Sequence, residues 1–145
     1  MSLDGAYDPN NIFAKIVRGE MPAAKVFEDH ETMAFMDVFP QARGHMLVVH
    51  KTAAARNLMD IEPEPLQATI LTVQRITRAV RAALKPDGIM VSQFNGAVSG
   101  QTIYHLHFHI IPRWEGVPLG RHGGGEMADA GELAKLAEAI AAQIS

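Results

Sequence analysis

The sequence contains no cysteine, and that absence removes several classes of protein at once. A disulfide framework, a thiolate nucleophile and a cysteine-held zinc or iron-sulfur centre are all excluded, and a thiol-free composition fits a reducing compartment. Long hydrophobic runs are missing too. No stretch approaches the roughly 20 apolar residues that span a bilayer, and the N-terminus lacks the basic start and apolar core of a secretory signal. Nor is there an excess of positive charge: 13 Lys and Arg stand against 16 Asp and Glu, for a formal net charge of -3. Binding a phosphate backbone needs a cationic face that displaces counterions, so long nucleic acids are not expected partners. What these absences leave is a soluble, cytoplasmic protein with no membrane partner.

The 145 residues are 48% hydrophobic, enough for one domain with a continuous core and no staples. Residues 1–10 carry Asp4, Gly5, Asp8 and Pro9 without periodicity and read as a flexible leader. Residues 11–145 read as a single domain ending in a helical extension. Ile12, Phe13, Ile16 and Val17 fall at helical spacing behind Asn10 and Asn11, either of which can cap, and Gly19 and Pro22 stop the turn. Two short apolar runs, 25–28 and 32–37, are separated by Asp29-His30-Glu31 and predict a hairpin. Met46 to Val49 is a buried-strand signal. Leu66, Ile70, Val73, Ile76, Val80 and Leu84 then keep the helix period for about five turns, and Lys85-Pro86-Asp87-Gly88 ends them. Ile89 to Phe94 is strand-like, and Asn95 to Gly100 is a loop, holding two glycines beside Asn95 and Ser99. After Pro112 comes a glycine-rich stretch including Gly123-Gly124-Gly125, then a helix around Leu133, Leu136, Ala137 and Ile140. Hairpin-linked strands around one long helix, without strand-helix alternation, predict an α+β fold: a mainly antiparallel sheet of about five strands, the long helix, and shorter terminal helices.

The most informative residues lie between Tyr104 and Ile111. A strand sends residues i, i+2 and i+4 to one face, so His105, His107 and His109 share a face while Leu106, Phe108 and Ile110 turn to the core. A single histidine in a strand is ordinarily structural. Three in strict alternation are harder to explain that way, because adjacent imidazoles cost desolvation and, if protonated, repel one another. Metal ligation is one alternative, since a His-x-His pair on a strand can chelate. Yet residues two and four apart are displaced by roughly 6.6 and 13 Å, so His105 and His109 cannot both join His107 on one ion. Any further ligands would have to come from His45, His50, His122 or a carboxylate. Nucleophilic catalysis is the other alternative: imidazole is largely unprotonated near neutral pH, and one nitrogen can attack phosphorus to form a covalent intermediate. Flanking histidines can then donate to phosphate oxygens and hold the middle ring's tautomer. Just upstream, Gly100-Gln101-Thr102 offers backbone amides, an amide side chain and a hydroxyl, a candidate phosphate cradle.

The segment His105-Leu-His-Phe-His109-Ile-Ile111 resembles the His-x-His-x-His-x-x signature of the histidine-triad superfamily. The segments 12–23 and 35–45 are similar to two further blocks of that family, so the resemblance runs from about Asn11 to Arg113. It implies a homodimer of α+β subunits that hydrolyse or transfer nucleotidyl groups at the α-phosphorus, with His107 as nucleophile and no cofactor. Phosphoramidates, nucleotidyl sulfates and dinucleoside polyphosphates are the implied substrates. By the same resemblance Ile12, Phe13, Ile16 and Phe35 would line a purine pocket, and Asp37 would accept from ribose hydroxyls. Asn95, Gln101, Thr102 and His109 would address the phosphates or the leaving group, and His45 would support the triad. From the residues alone, Ile12, Ile16 and Phe35 read more readily as core and Asp37 as a strand-end cap. Some bacterial relatives hold a structural zinc where this chain has Asn11, Ala14 and Ala53, so no metal is expected here. Arg113, Arg121 or His122 could reach a distal phosphate. A nucleotide-binding module with little activity and a metal-dependent hydrolase remain the rival readings.

Overall fold

The computed structural model describes residues 2–122 and 125–145; Gly123 and Gly124 of the glycine-rich stretch lie outside it. The chain runs through α1 (Ile12–Val17), β1 (Lys25–Glu28), β2 (Thr32–Met36), β3 (Met46–His50), α2 (Pro63–Leu84), β4 (Gly88–Ser92), a 3-10 turn (Ala97–Ser99), β5 (His107–Arg113) and α3 (Ala130–Ala141). The strands form one antiparallel sheet in the order β1-β2-β3-β5-β4. The α+β architecture and the five strands are those predicted.

Local chemistry accounts for the elements. The Asn11 side chain accepts from Ala14 N and caps α1. Asp29 Oδ1 accepts from the amides of Glu31 and Thr32, which turns β1 into β2. Pro63 and Pro65 open α2, where missing amide protons are not needed, so the helix starts before Leu66. Its buried stripe also differs from the predicted one. Ile70 is 44% exposed, whereas Thr69 and Thr72 are buried beside Val73, Ile76, Ala79 and Val80. The Thr72 hydroxyl is satisfied by Thr32 at 2.7 Å and the Thr69 hydroxyl donates to Pro65 O, so each threonine methyl can face the core.

The sheet separates two unlike faces. One is covered by α2 and α3, whose Val73, Ile76, Val80, Leu133, Leu136 and Ile140 pack on Ala34, Met36, Met46, Val48, Leu106, Phe108 and Ile110. On the other face a smaller cluster of Phe13, Met33, Phe35, Leu47 and Val49 lies under α1. Cross-strand pairs set His107 beside Val49 and His109 beside Leu47, which places both histidines on this second face. The triad strand begins at His107 rather than Tyr104. Before it, the Leu106 amide bonds Ala55 O, outside the ladder.

Candidate active site

His107 and His109 open onto a pocket of about 240 Å³ on the second face. Ile12, Phe13, Ile16, Phe35 and Leu47 form its apolar wall, and Asp37, Thr102 and His122 add polar groups. The Phe13 ring meets the His107 ring edge-on at 4.8 Å, and the His107 and His109 rings lie 4.9 Å apart. The walls thus present apolar side chains beside an imidazole pair.

The hydrogen bonds settle which nitrogen of each ring carries its proton. His107 Nδ1 lies 2.7 Å from His105 O, and a carbonyl only accepts, so Nδ1 holds the proton and Nε2 keeps its lone pair. His45 Nδ1 receives the Gln41 amide, which leaves the proton of His45 on Nε2 to be donated to His109 Nδ1 at 2.9 Å. His109 therefore carries its own proton on Nε2, an atom that is buried and has no partner. One ring offers a lone pair and its neighbour an unused N–H. That combination suits attack on an electrophile whose developing negative charge needs a donor.

Burial keeps these rings neutral. It lowers the pKa values of His45, His105 and His107 to about 4, and that of His109 further; neighbouring rings add to the effect in each case, while the carbonyls that His105 and His107 bond, His50 O and His105 O, oppose it. His107 is consequently an available nucleophile at neutral pH. Asp37 moves upward, chiefly through burial, while the Phe39 amide at 2.8 Å opposes the shift.

The expected site residues divide into those brought together and those held elsewhere. Ile12, Phe13, Ile16, Phe35, Asp37, Thr102, His107 and His109 share the pocket, and His45 stands behind His109. His105 does not face it; its ring points toward Tyr7, beside a second pocket that Ala14 and Ala53 also line. Asn95 and Gln101 depart from the expectation that they address phosphates. The Asn95 carboxamide bonds Gln93 and accepts from Leu58 N. The Gln101 carboxamide is spent inside the loop, accepting from Gly96 N and donating to Arg56 O and Ile103 O. Both brace the loop, and Gln101, buried at 3% exposure, needs these partners. Gly100 turns its carbonyl to His122 Nε2 at 2.7 Å. His122 itself sits against Phe94 and His109, while Arg113 and Arg121 do not line the pocket. Tyr7 and Phe94 were not singled out by the sequence, and no local signal marks either.

Among the described residues, Asp37, His45 and His109 have ligand atoms within 4.8 Å of one another, the spacing of a possible metal site. Both nitrogens of His45 are already engaged in hydrogen bonds, and so is Nδ1 of His109. Those bonds would have to be given up to hold an ion.

A neutral, buried imidazole pair against an apolar wall defines a histidine-centred site. The match to known proteins is more specific: residues 18–116 fit the HIT domain, and the chain belongs to that family of nucleotide-binding hydrolases and transferases. A HIT-like protein of Bartonella henselae, described as involved in cell-cycle regulation, superposes with a TM-score of 0.91 at 48% identity, covering 97% of this chain and 100% of that one. The protein hit of Bacillus subtilis is 39% identical over 105 residues, 72% of each chain. Adenosine 5'-monophosphoramidase hnt1 of Schizosaccharomyces pombe is 36% identical over 102 residues, 70% of this chain and 73% of its own. Among the described residues no helix is long and apolar enough to cross a membrane.

Proposed function

We propose that the protein hydrolyses or transfers a purine nucleotidyl group by attack of His107 Nε2 on the α-phosphorus. The observation that carries this reading is the 2.7 Å contact between His107 Nδ1 and His105 O, which leaves the Nε2 lone pair free beside the pocket. The Nε2–P bond forms as the bond to the leaving group breaks. The leaving group keeps that electron pair and takes a proton from solvent, while the His109 N–H offsets the developing charge. Water then attacks phosphorus, its oxygen stays on the nucleotide, its proton is released, and the Nε2–P pair returns to His107.

The apolar slot of Ile12, Phe13, Ile16 and Phe35 suits a base, and the Asp37 carboxylate at its edge suits ribose hydroxyls. Phosphoramidates are the first substrates to test, given the likeness to an adenosine 5'-monophosphoramidase; nucleotidyl sulfates and dinucleoside polyphosphates follow. A cytoplasmic homodimer completes the reading, with β4 as the joining edge: it ends the sheet and leaves Val91 44% exposed.

The deciding experiment quenches turnover of adenosine 5'-phosphoramidate in acid-free denaturant and weighs the protein. A nucleotide adduct on the His107 peptide, absent from His107→Ala, is the expected result. Turnover by His107→Ala at the wild-type rate overturns the mechanism.

A further inference from the structure

The N-terminal segment, read from sequence as a flexible leader, is tied to the loops around the triad. Arg56 donates to Ser2 O at 2.9 Å, Asn57 Nδ2 to Leu3 O at 2.8 Å, and Ala97 N to Ser2 Oγ at 2.8 Å. The same segment carries Tyr7, whose hydroxyl lies 2.7 Å from His105 Nδ1, 98 residues along the chain.

His105 is 2% exposed, so each polar atom of its ring needs a partner. Its Nε2 lies 3.3 Å from His50 O, an atom that only accepts, so the proton is on Nε2. Nδ1 must then accept, and the Tyr7 hydroxyl is its donor. The main chain of the same residue supplies the carbonyl that receives the His107 Nδ1 proton. His105 has left the sheet ladder, which begins at His107, so no strand pairing fixes that carbonyl. The Leu106 amide, on the same peptide as that carbonyl, is held by Ala55 O, and the ring, held between Tyr7 and His50 O, fixes the His105 side of it.

We propose that Tyr7 is a positioning residue for the nucleophile: its hydroxyl holds His105 in a single tautomer and orientation, and through the His105 carbonyl it holds His107 Nε2 toward the pocket. The proposal rests on His107 being the attacking group. Tyr7 lines the neighbouring pocket beside His105 and is absent from the nucleotide slot, so its influence on chemistry passes through those two histidines. Removing the hydroxyl leaves a buried lone pair unsatisfied and lets the His105 proton move between nitrogens.

The test is Tyr7→Phe in the full chain, which keeps the ring and removes only the donor. With adenosine 5'-phosphoramidate, kcat is expected to fall roughly tenfold while KM stays within about twofold, as for other partners that orient a reacting side chain. Nitrogen-15 spectra of histidine-labelled protein supply a readout independent of turnover. Wild type is expected to show His105 protonated on Nε2 and His107 on Nδ1, and Tyr7→Phe to show His105 mixed. An unchanged kcat together with unchanged His105 signals overturns the proposal, and so does a wild-type His105 protonated on Nδ1. Were wild type to bind nucleotide without turning it over, the catalytic reading would fall, and the His105 spectra would still decide the Tyr7 contact.

Discussion

The two faces of this sheet use the same strands for opposite ends. Under α2 and α3, apart from the paired Thr32 and Thr72 and the self-satisfied Thr69, the positions are apolar and interchangeable in kind: Val48, Phe108 and Ile110 meet Val73, Ile76 and Val80, and what matters is volume. On the pocket side the neighbours of those residues, His107 and His109, have identities that packing cannot substitute, because each ring nitrogen has an assigned role as donor, acceptor or free lone pair. Strand β5 carries both demands by alternation. The closed face lends rigidity to the open one, since a nucleophile needs its geometry held by something it does not react with.

That division can be broken one face at a time. His107→Ala is expected to cost turnover on the order of 10⁴-fold or more while the denaturation midpoint and the affinity for nucleoside monophosphates stay near wild type. Its neighbour on the opposite face should behave in reverse. Ile110→Ala removes a side chain with 0% exposure and should lower stability by roughly 3 kcal/mol, with kcat retained in the folded fraction. A large kcat loss in Ile110→Ala at full folding would show that the faces are not separable.

Acid should sharpen the same contrast, because the open face holds the titrating groups. In the folded state His45, His105 and His107 have pKa values lowered to about 4 and His109 lower still, against about 6.5 for unfolded imidazole. Below that unfolded value the unfolded chain takes up protons that the folded chain refuses, so stability is complete above about pH 6.5 and declines as the pH falls toward 4. Asp37, whose pKa is raised, works in the opposite direction, but it is one group against these four and His50, whose pKa burial also lowers. Urea titrations between pH 7 and 4.5 should show a falling midpoint, and a flat profile would mean that the rings are not buried neutral. The smallest effect is reserved for Asp37→Ala: nucleoside monophosphate affinity should weaken by roughly tenfold with the 2'-deoxy ligand less affected, as expected for one lost hydrogen-bonding carboxylate. Equal losses for the ribo and deoxy ligands would remove Asp37 from the sugar site.

Much of the site was legible because it is written in short-range periodicity. The alternation of His105, Leu106, His107, Phe108 and His109 separates the histidines from the core side chains Leu106 and Phe108, and Asp29 and Asn11 announce their turn and cap within three residues. The stripe of α2 was misread at Ile70 because a threonine scores as polar until a partner for its hydroxyl appears, and the partner of Thr72 is Thr32, 40 residues away. Asn95 and Gln101, expected at the phosphates, are hydrogen-bonded within the fold for the same reason. A carboxamide in a glycine loop looks available, and only the fold shows that Gly96 N, Arg56 O and Gln93 have already engaged them.

The sequence by itself determined the family, the antiparallel sheet with its long helix, and the shared face of His107 and His109, since all three follow from spacing along the chain. Proton positions were decided only by the tertiary structure. Which nitrogen of His107 is free depends on the carbonyl of His105, the proton of His109 depends on His45, and His105 depends on a tyrosine 98 residues away. Hydrogen-bond direction is a property of partners in space, and no local pattern carries it.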